Sequence, residues 1–135
     1  SYDFSFSGIK TSVLYHLRKH GVVGQTFLSD HPAQLADICA SFQSSVVEVL
    51  VEKTIAAAKE FGIQNVTIAG GVSANSFLRL KLDEACKKRR LKLFYPPLEY
   101  CMDNGAMIAY VGWMKLKRGI TSSMELSAVA NLELV

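Results

Sequence analysis

The chain has 135 residues, half of them hydrophobic, and its 15 Lys/Arg against 12 Asp/Glu give a formal net charge of +3. That length fits one domain of ordinary size, and the apolar content excludes a disordered chain. Charges interrupt every apolar stretch before the roughly 20 residues that a membrane helix needs, and no basic-then-apolar leader precedes the first element, so a cytoplasmic protein with no membrane partner is expected.

Tyr2 to Phe6 alternates, with Tyr2, Phe4 and Phe6 on one side and Asp3 and Ser5 on the other, which predicts a half-buried strand. A strand that opens at once on Ser1, not Met, suggests a piece of a longer protein. After Gly8, the four-residue spacing of Ile9, Val13 and Leu17 predicts a helix through IKTSVLYHLRKH. Gly21 to Pro32 reads as a loop, and Pro32 suits the first turn of the next helix. That helix runs to about Phe61, where Gly62 is the expected stop. Val66 to Ala69 reads as a short apolar strand of the kind buried on both faces of a parallel sheet. A basic amphipathic helix follows from about Ala74 to Arg90, then a strand from Leu91 to Tyr95, closed by Pro96-Pro97. Asn104 to Lys117 is an apolar helix ended by Gly119. Residues 120–135 show no strong period and are set apart as a tail from a lobe spanning 1–119. Strands alternating with helical crossovers predict an α/β architecture, a parallel or mixed sheet covered by helices.

Three groups of residues bear on chemistry. In VTIAGGVSAN, Val66 to Asn75, two glycines stand where a strand ends and a helix begins. Ligands of open α/β sheets lie outside the carboxyl ends of strands, near helix N-termini, and glycine lets a ligand approach the backbone. Asn75 would add an amide. A tight turn with Ser73 capping the helix explains the same residues, and both readings stand at this point. In EYCMDNGAMIAY, Asp103 precedes an apolar helix. It is either the N-cap or a carboxylate ligand for a hard or borderline metal ion, which would need partners from elsewhere.

The spacing of His16 and His20 is that of a helical metal pair, but Arg18 and Lys19 between them would repel a cation, so a solvated face is expected. The cysteines Cys39, Cys86 and Cys101 form no CxxC pair, which suits a reducing compartment. Between Ser76 and Arg118, ten Lys/Arg stand against four Asp/Glu. A solvated helix explains such a run, and a polyanion such as RNA is the functional alternative.

Four blocks, DFSFSGIKT (3–11), ASFQ (40–43), AGGVSAN (69–75) and CMDNGAMIAY (101–110), resemble the C-terminal part of the TsaD/Gcp family, the tRNA adenosine threonylcarbamoyltransferases once called O-sialoglycoprotein endopeptidases. The match covers nearly the whole chain but less than half of a family member, so a C-terminal fragment is expected. The resemblance implies part of the second lobe of an actin-like, sugar-kinase-like (ribonuclease H-like) ATPase fold, with the active site between lobes. It implies that Gly70, Gly71 and Asn75 face the adenylate of threonylcarbamoyl-AMP, or ATP. It implies that Asp103 binds a divalent metal, iron or zinc, shared with two histidines of an HxxxH motif in the first lobe. His16 and His20 do not match that motif's surroundings. Met102 stands where the family usually has Thr or Ser, which removes a hydroxyl beside the metal ligand.

The implied reaction is attack by N6 of adenosine 37, in ANN-decoding tRNAs, on the carbamoyl carbonyl, with loss of AMP. Implied partners are tRNA and, in bacteria, TsaB and TsaE. The basic segments Arg79 to Arg90 and Lys115 to Arg118 are candidates for tRNA phosphates. The fragment alone is expected to be inactive and, with a sheet edge and an apolar face uncovered, to self-associate. The alternative from another class is a non-catalytic binding or assembly module of the same fold. A metalloprotease has no support, since no HExxH is present.

Overall fold

A computed structural model describes residues 1–19, 32–127 and 129. The chain forms two compact units, Ser1–Cys101 and Met102–Val135. The first contains helices α1 (Phe6–Lys19), α2 (Pro32–Glu60) and α3 (Ser76–Lys88) and strands β1 (Asn65–Thr67) and β2 (Lys92–Phe94). The second contains helix α4 (Gly105–Lys117). The loop Gly21 to His31, and His20, lie outside the described residues, as does most of the tail after Ser127.

The N-terminal segment corrects one expectation. Residues 2–5 form no strand, and α1 begins at Phe6. The reason lies in Ser5, whose hydroxyl accepts the Gly8 N–H at 3.0 Å while its carbonyl accepts that of Ile9 at 3.2 Å. Ser5 is thus an N-cap, and Gly8, expected to break the pattern, falls inside the helix. An alternating pattern becomes a strand only where a neighbouring strand can pair with it, and β1 and β2 pair only with each other among the described residues. Residues 1–3 instead lie along α2: Tyr2 donates to Glu60, and Lys53 donates to the carbonyls of Ser1 and Asp3.

Helix α2 has 29 residues, about 44 Å at 1.5 Å per residue. Val47, Val51, Ile55 and Ala58 recur at spacings of three and four and turn one stripe inward. Its end is the expected one. Gly62 takes φ 63°, Ile63 N–H reaches back to the Ala58 carbonyl at 2.9 Å, and Gly62 N–H approaches that of Lys59 at 3.4 Å.

Strands β1 and β2 are parallel, pairing Asn65 with Lys92, Val66 with Leu93 and Thr67 with Phe94. Helix α3 is the crossover between them, which gives the expected α/β arrangement. The strand is shorter and less enclosed than expected, however. Only Val66 of β1 is buried, because one face packs on helices while the other lies open. Leu78, Leu82 and Cys86, four residues apart along α3, are all buried. They meet α2 and the sheet in two clusters, Ile55–Ala58–Val66–Cys86 and Val47–Leu78–Leu82. Leu82 is 1% exposed, so its truncation to Ala would cost about 2–5 kcal/mol.

Candidate functional site

The segment after β1 is built by one unusual backbone angle. Gly70 takes φ 81° and ψ 172°, a conformation essentially reserved for glycine. It turns the chain out of the sheet into a single 3-10 turn, Gly71–Ala74. Ser73, 2% exposed, locks that turn: its N–H and its hydroxyl both donate to the Gly70 carbonyl, at 2.9 and 2.7 Å. Gly71 has no such conformational demand, and a Cβ built on either glycine meets no atom within 4 Å. The surface above both is open.

Ser73 therefore stabilises the turn, whereas the cap of α3 is Asn75. The Asn75 side-chain oxygen accepts the Leu78 N–H at 2.9 Å. Its amide nitrogen donates to Gln43 Oε1 at 3.1 Å, which leaves one amide hydrogen without an acceptor among the described residues. Asn75 thereby joins the ASFQ block of α2 to the glycine loop. A cleft of about 290 Å³ beside the loop is lined by Phe6, Leu50, Thr67, Ala69, Val72 and Ser73, among others. Three of the four sequence blocks thus meet at the carboxyl end of β1.

Arg79 is the residue that sequence reasoning misplaced. Counted there among candidates for solvated phosphates, its guanidinium turns inward. Nε donates to the Ser73 carbonyl at 2.6 Å, and Nη2 to the Pro96 carbonyl at 2.9 Å and to the Cys101 thiol at 3.1 Å. The guanidinium also lies 4.4 Å from the centre of the Tyr95 ring. No local pattern announces these partners, because they sit up to 22 residues away in the chain. Two further cations of α3 are also engaged: Lys81 pairs with Glu84 and Lys87 with Asp83. Lys88, Arg89, Arg90 and Lys92 remain exposed, with no ion pair among the described residues.

In the second unit, Asp103 is exposed and is not the cap of α4. Asn104 fills that place, its side-chain oxygen accepting the Met107 N–H at 3.1 Å. The Asp103 carboxylate has no hydrogen bond or ion pair among the described residues. It is free to act as one donor to a cation. Among the described residues, no three His, Cys, Asp or Glu converge as a metal site, so any ion on Asp103 needs ligands from beyond them. Helix α4 buries none of its residues; Trp113 lies against Tyr110, ring centres 5.9 Å apart, and under Lys117 Nζ at 4.4 Å.

The family model described as tRNA N6-adenosine threonylcarbamoyltransferase, TsaD, matches residues 1–110. The chain belongs to the TsaD family. A relative of that name from Thermosipho africanus is 47% identical over 134 residues, covering 99% of this chain and 38% of its own length. Those from Kosmotoga olearia and Pelodictyon phaeoclathratiforme are 44% and 52% identical, covering 100% and 89% of the chain. The chain spans 38% and 33% of those two relatives. TsaD membership agrees with the expected actin-like fold, of which the chain holds a helix-covered parallel pair of strands. Among the described residues, no helix is long and apolar enough to cross a membrane.

Proposed function

We propose that the chain is the C-terminal part of an enzyme that transfers the threonylcarbamoyl group from threonylcarbamoyl-AMP to N6 of adenosine 37 in ANN-decoding tRNAs. The observation that supports this most is the bare backbone at Gly70-Gly71, open above, flanked by a cleft that two sequence blocks line and tied to a third through Asn75 and Gln43. An adenylate lies against that backbone, and the remaining amide hydrogen of Asn75 orients it. The N6 amine forms a bond to the carbamoyl carbon while the carbon–oxygen bond to the phosphate breaks. AMP departs with the electron pair, and the amine proton passes to a base or to solvent.

Asp103 fits as one ligand of divalent iron or zinc, since its carboxylate is exposed and uncommitted. A metal held there would supply Lewis-acid polarisation of the carbamoyl carbonyl. Its remaining ligands belong to the first lobe of the longer protein. The unpaired cations Lys88, Arg89, Arg90 and Lys92 offer phosphate contacts to tRNA, and TsaB and TsaE are the proposed protein partners in a cytoplasmic complex.

The test is threonylcarbamoyl transfer to tRNA by the full-length protein, with Asp103→Ala beside it. The expected result is transfer by the parent and a loss of about 100-fold or more in the variant. A full-length protein without transfer, or an Asp103→Ala variant with full activity, would overturn the assignment. The 135-residue chain alone is expected to be inactive in the same assay.

A further inference from the structure

We infer that Arg79 is a positioning residue for adenylate binding, the clamp that holds the glycine loop in register with the Pro96–Cys101 segment. The inference rests on the functional reading above. The turn's own hydrogen bonds are local: Ser73 binds Gly70, and Asn75 N–H reaches Val72 at 3.1 Å. These fix its shape, and the Asn75 amide ties its far end to Gln43 of α2. Arg79 supplies the link to the opposite side, taking the Ser73 carbonyl with Nε and the Pro96 carbonyl with Nη2.

Three features show that the fork is built in. Both ends of its span are enclosed, with Ser73 and Cys101 each 2% exposed. The ring of Tyr95 covers the guanidinium face, a placement that suits a planar cation. And the half-buried charge has no carboxylate partner among the described residues, so its surroundings are carbonyls, a thiol and a ring. A lysine keeps the charge but has no rigid fork able to hold two separated carbonyls. The segment so held ends at Cys101, two residues before Asp103 in the sequence.

The experiment uses the full-length enzyme carrying Arg79→Lys, with steady-state kinetics for both substrates. The second readout is alkylation of Cys101, located by mass spectrometry. The expected result is a KM for threonylcarbamoyl-AMP raised about tenfold, an unchanged KM for tRNA, and Cys101 alkylated about tenfold faster. If Arg79→Lys does not fold, Tyr95→Leu removes the ring and leaves the fork. It should raise the adenylate KM about threefold, again without moving that for tRNA. Unchanged constants, or both KM values rising together, would overturn the clamp while leaving the transferase reading intact. A parent enzyme without transfer activity would overturn both.

Discussion

The side-chain amide of Asn75 faces two ways at once, donating to Gln43 Oε1 at 3.1 Å and accepting the Leu78 N–H at 2.9 Å. One oxygen caps a helix and one nitrogen bridges to another, so substitutions can separate the two roles. Asn75→Ala should lower stability by about 1 kcal/mol through loss of the cap. Asn75→Asp keeps a capping oxygen and adds favourable charge at the helix start, so its stability should stay near that of the parent. If the nitrogen orients the adenylate, the Asp variant of the full-length protein should bind AMP about tenfold more weakly. Urea unfolding and calorimetric titration measure the two effects. Parent-like AMP affinity in Asn75→Asp would remove the amide from the site.

The two loop glycines should also behave differently. Gly70 holds φ 81°, so Gly70→Ala strains the backbone and should cost about 1–3 kcal/mol. Gly71 has an ordinary φ and open space where a Cβ would go, so Gly71→Ala should change stability by less than about 0.5 kcal/mol. Loss of nucleotide binding in that stable variant would mark a backbone approached closely by ligand; retained binding would leave Gly71 without a role.

Helix α3 ends on a strained residue. Arg90 has φ 58°, and its own N–H and that of Leu91 close the helix on Lys87 and Cys86 at 3.2 and 2.9 Å. Glycine suits that position better, so Arg90→Gly should raise stability by about 0.5–1 kcal/mol. If the exposed cations meet tRNA phosphates, a Lys88/Arg89/Arg90 alanine variant should bind full-length enzyme to tRNA with a salt slope flatter by about 2. A slope identical to the parent's would assign the run to solvation alone.

Much of this fold was legible in the residues, and the exceptions depend on partners or backbone angles that a local pattern does not specify. The stripes of α2 and α3, the stop at Gly62 and the parallel strands all follow from local periodicity and turn chemistry. The strand at Tyr2–Phe6 failed because alternation describes which face a side chain takes, while pairing depends on a neighbour that local sequence does not specify. Ser73 and Asp103 read as caps, yet Asn75 and Asn104 take those places. Adjacent residues compete for one N-cap, and the backbone angle at the turn decides between them. Arg79 was legible as a cation, but its partners at Pro96 and Cys101 are brought in by tertiary packing alone.

Cys86 should report on pH. Burial in the core, with the Asp83 carboxylate nearby, raises its thiol pKa. The folded state thus favours the neutral thiol, so this contribution to stability is complete below the unfolded value of about 8.5 and is lost as pH rises through the folded value. Tyr2 and Lys87 are raised too, by their bonds to Glu60 and Asp83, from ordinary values that already lie above that of a thiol. Urea midpoints should therefore fall above about pH 8.5 more steeply for the parent than for Cys86→Ala. Parallel falls in the two proteins would rule the thiol out as the cause.

The exposed side chains of α4 should drive self-association of this chain. Ile108, Leu116 and Trp113 are 76%, 67% and 51% exposed, a concentration of apolar surface that solvent does not favour. Light scattering at rising concentration should show growth in mass, and Ile108→Lys with Leu116→Lys should suppress it. A monodisperse monomer at high concentration would contradict the expectation.

The single tryptophan has a practical consequence. Trp113 lies in the Met102–Val135 unit, stacked under Lys117 and beside Tyr110. Tryptophan emission, excited at wavelengths where tyrosine does not absorb, is therefore a private channel for the unit that carries Asp103. Circular dichroism, dominated by the helices of Ser1–Cys101, listens chiefly to the other. Two melting curves recorded on one sample, one optical signal each, would reveal whether the two units unfold together or in sequence, with no label attached.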